Sequence, residues 1–267
     1  MNSNQEKNKE WKVMGVTLTI EQHIARVVID RPEAYNAMNE SILVEMKDGV
    51  DTIQKNEDVR VAIFMGGGTK SFVAGADISY MSSMTPLEGE KWGKLGQSVF
   101  SAISELRCPT IAAIQGYALG GGTELAIACD LRIASEKACF AQPEVKLGII
   151  PGFGGTQRLT RLIGPGYAKQ MILTGDQFSA QQAFAMGLVN EVVPHDQLTE
   201  RVDALAQSIA SGSPNGIRLA KEAIEHGLQG SLNEGLQLES ALFGLCFASP
   251  EQREGMTAFV EKRKPKF

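Results

Sequence analysis

The spacing of apolar residues along this chain changes character twice. Residues 16–20 alternate apolar and polar, Ile24–Ile29 is largely apolar, and Glu21-Gln22-His23 lies between them, which predicts a β-hairpin. Arg31-Pro32 stops the second strand, and Asn39 offers an N-cap for a helix over 40–54. A short apolar strand at 61–65 runs into Gly66-Gly67-Gly68. A helix over 87–106, a strand at 110–114, a helix over 121–129 and short strands at 131–134 and 139–140 follow. Beyond Gly152 the segments 154–163, 165–173, 179–186, 196–210, 214–227, 231–247 and 250–263 all show helical spacing. Ser179, Ser213-Pro214, Ser231 and Ser249-Pro250 supply helix-start signals.

Strands mixed with helices and then a helical run predict an α/β core with a helical C-terminal region. No internal repeat or low-complexity tract interrupts it. The expected division is a mobile N-terminal tail over 1–13, a core over 14–205 and a helical region over 206–267. A length of 267 residues fits one large domain or two small ones. A chain this long buries on the order of 75% of its unfolded surface, so it needs no disulfide or metal staple.

Composition narrows the classes. The formal net charge of −5 argues against a general attraction to nucleic acid or to acidic membranes. The longest apolar stretch, 109–129, is broken by Gln115, a glycine run and Glu124, which predicts buried core and not a membrane span. The polar N-terminus lacks an apolar signal core, contains no Arg and carries two Glu, so the expected location is cytoplasmic. Cys108, Cys129, Cys139 and Cys246 form no Cys-x-x-Cys pair and read as reduced core residues. His23, His195 and His226 have no partner at metal spacing, so no metal is expected.

Glycine is the unusual residue. There are 28, where average usage gives roughly 19, and twelve of them fall within segments 66–75, 116–122 and 148–155. A helix opening at Gly120-Gly121-Gly122 would be apolar on nearly every side, so its N-terminus and its unpaired N–H groups would be buried. Glu124 would sit one turn inside it. A carboxylate among Leu, Ile and Ala either serves chemistry or bonds a neighbouring amide or a residue such as Arg132. Glu144 lies in a similar apolar segment ahead of a glycine turn; water or Lys146 are its alternatives. Ala74-Gly75-Ala76 permits close backbone approach to a ligand, or is a tight core turn. The chain lacks a P-loop, a Gly-x-Gly-x-x-Gly fingerprint and a Gly-x-Ser-x-Gly elbow. Two carboxylates beside glycine-lined amides suit proton transfer next to a carbonyl.

Five ordered blocks resemble the crotonase (enoyl-CoA hydratase/isomerase) superfamily. They are Ser71-Phe72-Val73-Ala74-Gly75-Ala76-Asp77-Ile78, Gly116-Tyr117-Ala118-Leu119-Gly120-Gly121-Gly122-Thr123-Glu124, Phe140-Ala141-Gln142-Pro143-Glu144, Ile150-Pro151-Gly152-Phe153-Gly154-Gly155-Thr156-Gln157-Arg158 and Ala258-Phe259-Val260-Glu261-Lys262-Arg263-Lys264. The resemblance implies a spiral of ββα turns with a helical C-terminal trimerisation region, assembled as a homotrimer or a homohexamer made of two trimers. It implies an enzyme that reversibly hydrates trans-2-enoyl-CoA, with short chains such as crotonyl-CoA favoured. Within the same resemblance the alternatives are an isomerase or another acyl-CoA enzyme, and more remotely a silent scaffold or RNA-binding relative.

By the same resemblance, Ala76 and Gly121 supply the backbone amides of an oxyanion hole, and Glu124 and Glu144 are the catalytic pair. The Gly152 amide orients the water and the catalytic carboxylate. Ala74, Asp77, Ile78, Phe259 and Lys262 contact coenzyme A, which is part of the substrate; no separate cofactor is implied. Glu33 and Ser79 stand where Lys is common, which shifts the phosphate contacts toward Lys262, Arg263 and Lys264.

Overall fold

The computed structural model describes residues 9–13 and 15–267. Its opening strands are β1 (Lys9–Val13), β2 (Val16–Glu21) and β3 (Ile24–Ile29). β2 and β3 form the expected hairpin, with Val16 opposite Ile29 and Glu21 opposite Ile24. Gln22 and His23 both adopt positive φ, 48° and 67°, the turn geometry that matches strand twist. β1 pairs antiparallel with β2, which corrects the tail expected over 1–13 for its last five residues. The sequence Glu10-Trp11-Lys12-Val13 alternates, and an otherwise open edge of β2 gives it a partner. Residues 1–8 of that tail lie outside the described residues.

Helix α1 (Glu40–Lys55) starts at Asn39, whose side chain accepts from the Ile42 amide, and leads into three turns of a spiral. The first contains β4 (Val61–Gly66), β5 (Ser71–Val73), α2 (Ile78–Met81) and α3 (Pro86–Ser104). The second contains β6 (Thr110–Ile114), β7 (Tyr117–Leu119) and α4 (Gly121–Ala128). The third contains β8 (Leu131–Ser135), β9 (Cys139–Ala141) and α5 (Gly155–Thr174). The chain ends with β10 (Phe178–Ser179), α6 (Ala180–Ala185), β11 (Glu191–Val193), α7 (Leu198–Ala210), α8 (Pro214–Gly227), α9 (Leu232–Cys246) and α10 (Pro250–Val260). α5 breaks at Gly164, where φ is 77°, so the two helices expected over 154–163 and 165–173 meet at a kink before Pro165.

Each spiral turn gives its first strand to one sheet and its second strand to another. The larger sheet has the order β1-β2-β3-β4-β6-β8-β11 and is parallel from β3 onward; the smaller has the order β10-β9-β7-β5. Along β4, Ala62 and Phe64 enter the main core with Phe72, Phe100 and Phe140, while Val61 and Ile63 face the opposite side. That side is covered by Leu198, Val202, Ala206 and Ala210 of α7. Residue 205 therefore lies within a helix that belongs to the core, and the division expected at 205/206 moves to the turn between α7 and α8, at 211–213. Among the described residues, no helix is long and apolar enough to cross a membrane.

Candidate active site

All eight residues of α4 are buried, as its apolar sequence requires. Gly120, with φ of 51°, turns the chain from β7 into the helix, and no side chain caps the helix N-terminus. Glu124 lies in the first turn and is only 2% exposed. Its Oε1 accepts hydrogen bonds from the Phe153 amide at 2.8 Å and from the Gly155 amide at 2.6 Å. Burial nevertheless pushes its carboxyl up to about 7, against the opposing pull of the two amides and of Arg158. Arg132, the alternative partner, instead donates to the Leu188 and Cys129 carbonyls.

Glu144 sits on a short 3₁₀ turn, Pro143–Leu147, directly after the β9 edge, and its side chain is buried. Its carboxyl is pushed up to about 8, first by burial and then by the charge of Glu124. Lys146 does not neutralise it; that ammonium pairs with Asp176 at 3.3 Å. The fully buried Gln142 side-chain amide lies 3.0 and 3.1 Å from the two Glu144 carboxylate oxygens, and its nitrogen, turned to that side, would donate to both. Two glycines make room for the carboxylates. A Cβ at Gly120 would overlap Glu144 Oε1, and one at Gly155 would come within 2.9 Å of Glu124 Oε1.

Two amides complete the arrangement. Met38 bridges the chain beside Ala76: its amide donates to the Gly75 carbonyl at 2.9 Å, and its carbonyl accepts from the Asp77 amide at 2.7 Å. In such a parallel bridge the Ala76 N–H points away from Met38. Among the described residues, neither Ala76 nor Gly121 donates its amide to a protein acceptor. Both line one cavity of about 690 Å³, together with Glu124 and Glu144. Its remaining walls are largely apolar and include Met81, Met84, Trp92 and Ile150.

The other residues singled out in the sequence divide into two groups. Ala74, Ile78 and Gly152 line the cavity. The amides on the Glu124 carboxylate, however, are those of Phe153 and Gly155, which corrects the assignment of that task to Gly152. Asp77 caps α2 by accepting from Ser79 and Tyr80 and stands 3.8 Å from Arg31. Phe259 and Lys262 lie at the end of α10 and do not line the cavity of their own chain; Phe259 is 84% exposed. Arg263 is bound by both oxygens of Glu254, at 2.6 and 2.9 Å, and by Glu261 at 2.7 Å, so its charge is already matched. Among the described residues no three His, Cys, Asp or Glu side chains gather at metal spacing. Met38, Gln142 and the amides of Phe153 and Gly155 escape a reading of the sequence. Gln142 carries a signal in retrospect, as an amide side chain in an otherwise apolar strand end, whereas the direction of a backbone N–H carries none.

Fold and site together define a spiral α/β scaffold with a buried carboxylate pair and two unpartnered amides lining one cavity. Such a layout can move protons at carbon or oxygen while amides receive charge developing on a carbonyl. The model of the enoyl-CoA hydratase/isomerase family matches residues 19–267, and the chain belongs to that family. It is 48% identical over 253 residues to the crotonyl-CoA hydratase of Syntrophomonas wolfei, covering 95% of this chain and 97% of that relative. It is 49% identical over 250 residues to the short-chain-enoyl-CoA hydratase of Clostridium acetobutylicum, with coverage of 94% and 96%. The crystal structure of enoyl-CoA hydratase from Bacillus anthracis superimposes with a TM-score of 0.90 at 39% identity, covering 98% of this chain and 99% of that one.

Proposed function

We propose that the chain reversibly hydrates short trans-2-enoyl-CoA thioesters, crotonyl-CoA among them, to 3-hydroxyacyl-CoA. The observation that carries this is the unequal environment of two carboxyls in one cavity. Glu124 is anchored by two amides and ionises first, whereas Glu144 faces that charge and keeps its proton. An acid and a base are thereby set side by side. Glu124 takes a proton from water as the hydroxyl adds to the β-carbon. The π electrons move toward the α-carbon and the thioester oxygen, where the Ala76 and Gly121 amides receive the charge. Glu144 then gives its proton to the α-carbon. Glu124 ends protonated and Glu144 ionised, and proton exchange with solvent resets the pair.

The reading assigns the Gly152 backbone to the water and Ala74, Asp77 and Ile78 to the coenzyme A portion, with no separate cofactor. It also includes self-association. Leu228, Leu232, Phe259 and Val260, in the C-terminal helical region, are between 79% and 84% exposed, and large exposed apolar side chains of this kind suit a contact between copies. A homotrimer, or two trimers face to face, would cover it, and Phe259 and Lys262 would then meet coenzyme A bound to another copy. Four free cysteines fit a reducing, cytoplasmic setting.

Loss of crotonyl-CoA absorbance on adding the protein tests the activity. Glu124→Gln and Glu144→Gln should each lower kcat by about 10³-fold or more while leaving thioester binding within a fewfold. Near-wild-type turnover in both variants would overturn the assignment.

A further inference from the structure

The turn that holds Glu124 is itself held from behind. The Phe153 amide and the Gly152 carbonyl belong to one peptide plane. Its N–H side faces Glu124 at 2.8 Å, and its C=O side accepts from Gln97 Nε2 of α3 at 2.9 Å. The next carbonyl, that of Phe153, accepts from Arg158 Nη1 of α5 at 3.1 Å. The same guanidinium donates through Nη2 to Ser101 Oγ of α3 at 2.9 Å. One face of α3 is given over to this turn. Trp92, Gly96 and Phe100 recur every fourth residue, and Gln97 and Ser101 form the adjoining row. Trp92 and Phe100 meet the Phe153 ring edge-on at 5.2 and 5.5 Å, and a Cβ at Gly96 would overlap that ring.

We infer that Gln97 and Arg158 are positioning residues: Gln97 fixes the Gly152 carbonyl and with it the Phe153 amide aimed at Glu124, while Arg158 pins the next peptide, which joins the two donor amides of Phe153 and Gly155. The inference rests on Glu124 being the base of the proposed hydration. A planar peptide cannot turn its C=O without turning its N–H, so a bond to the Gly152 oxygen sets the direction of the Phe153 donor. A bond accepted by the carbonyl also polarises the N–H of the same plane. Arg158 adds a cation behind the carboxylate and lowers its proton affinity. The charged groups facing Glu124 are Arg158 from α5 and Glu144 from the 3₁₀ turn. Arg158 in turn feels Glu124, Glu105 at the end of α3 and Glu225 of α8. Loosening the clamp removes amide support from a buried carboxylate, which then holds its proton to higher pH.

The test compares Gln97→Met, Arg158→Met and Arg158→Lys with Arg161→Ala, an arginine one turn further along α5 that bonds only to Gln157. Hydration of crotonyl-CoA is followed from pH 5 to 9, and the Glu124 carboxyl is titrated by infrared difference against Glu124→Gln in the unliganded protein. Gln97→Met should lower kcat by about 3- to 10-fold with KM within about twofold, and Arg158→Met by about 30-fold or more. In both, the acid limb of kcat/KM and the infrared midpoint should move to higher pH. Arg158→Lys should recover part of the loss, and Arg161→Ala should match wild type. Unchanged limb and midpoint in Gln97→Met and Arg158→Met would overturn the inference, even with kcat reduced. If Arg158→Met does not fold, Gln97→Met and Arg158→Lys decide by the same two readouts. Failure of the hydration reading is distinct: wild type would not turn over crotonyl-CoA, while the infrared titration would still report on the clamp.

Discussion

Gly120 and Glu144 share a space that admits only one of a side chain and a carboxylate: a Cβ on the glycine would overlap the Glu144 Oε1 atom. The glycine also holds φ of 51°, a conformation L side chains rarely adopt. Gly120→Ala should therefore displace Glu144 and strain the entrance to α4 together. The expected outcome is a loss of about 2–4 kcal/mol in urea unfolding and about 10²-fold or more in hydration rate.

The unequal carboxyls set the pH dependence of turnover. Glu124 must be ionised to accept a proton and is pushed up to about 7, so the rate falls as pH drops below that value. Glu144 must be protonated to donate and is pushed up to about 8, so the rate falls again above it. A kcat/KM profile measured from pH 5 to 10 should be a narrow bell between these limits, belonging to the pair as a whole. A flat profile through pH 6–9 would contradict the opposed protonation states.

Stability should follow pH for the same reason. The folded Glu124 carboxyl lies above its ordinary value of 4.5, so folding favours the protonated form. Its contribution is fully present below about pH 4.5 and is lost as pH rises through about 7, a swing of about 3 kcal/mol. Urea unfolding at pH 5 and pH 8 should show a smaller difference in Glu124→Gln than in wild type. Removing that charge also eases the ionisation of Glu144, which acts in the same direction.

A remote carboxylate tests stability without chemistry. Glu45 of α1 is buried, and its Oε2 accepts from the Gly15 and Val16 amides, both at 3.0 Å. Glu45→Ala leaves two amides without their acceptor and should cost about 2–3 kcal/mol in urea. Glu45→Gln retains an acceptor oxygen and should cost less. Turnover of the folded protein should be unaffected in both.

The sequence was most informative where a physical signal is local. Residues 16–29 alternate and turn, Asn39 and Ser213 bring their own capping oxygens, and Gly164-Pro165 marks the kink of α5. Of the smaller sheet only β9, expected at 139–140, shows in the sequence; β5, β7 and β10, two or three residues each, are too short for alternation to show. β11 pairs with β8 although more than fifty residues separate them, and no local pattern predicts that. At the site, Glu124 and Glu144 stood out as carboxylates among apolar neighbours. The amides that hold Glu124 did not, because every residue except proline carries an N–H and only packing decides where it points. Gly152 was one residue short of the first of them. Phe259 and Lys262 resemble a family motif, but a motif does not state where the fold carries its residues, and these two lie outside the cavity of their own chain.

The spiral divides the site between its turns. Glu124 belongs to the second turn, yet the amides that anchor it and the residues that close over it arrive only with the turn before α5, at the end of the third. Without that segment the carboxylate has neither of the amides that hold it in the folded protein, so the second turn alone does not make the site. A chain interrupted before residue 155 has both glutamates and both cavity amides, but not the site.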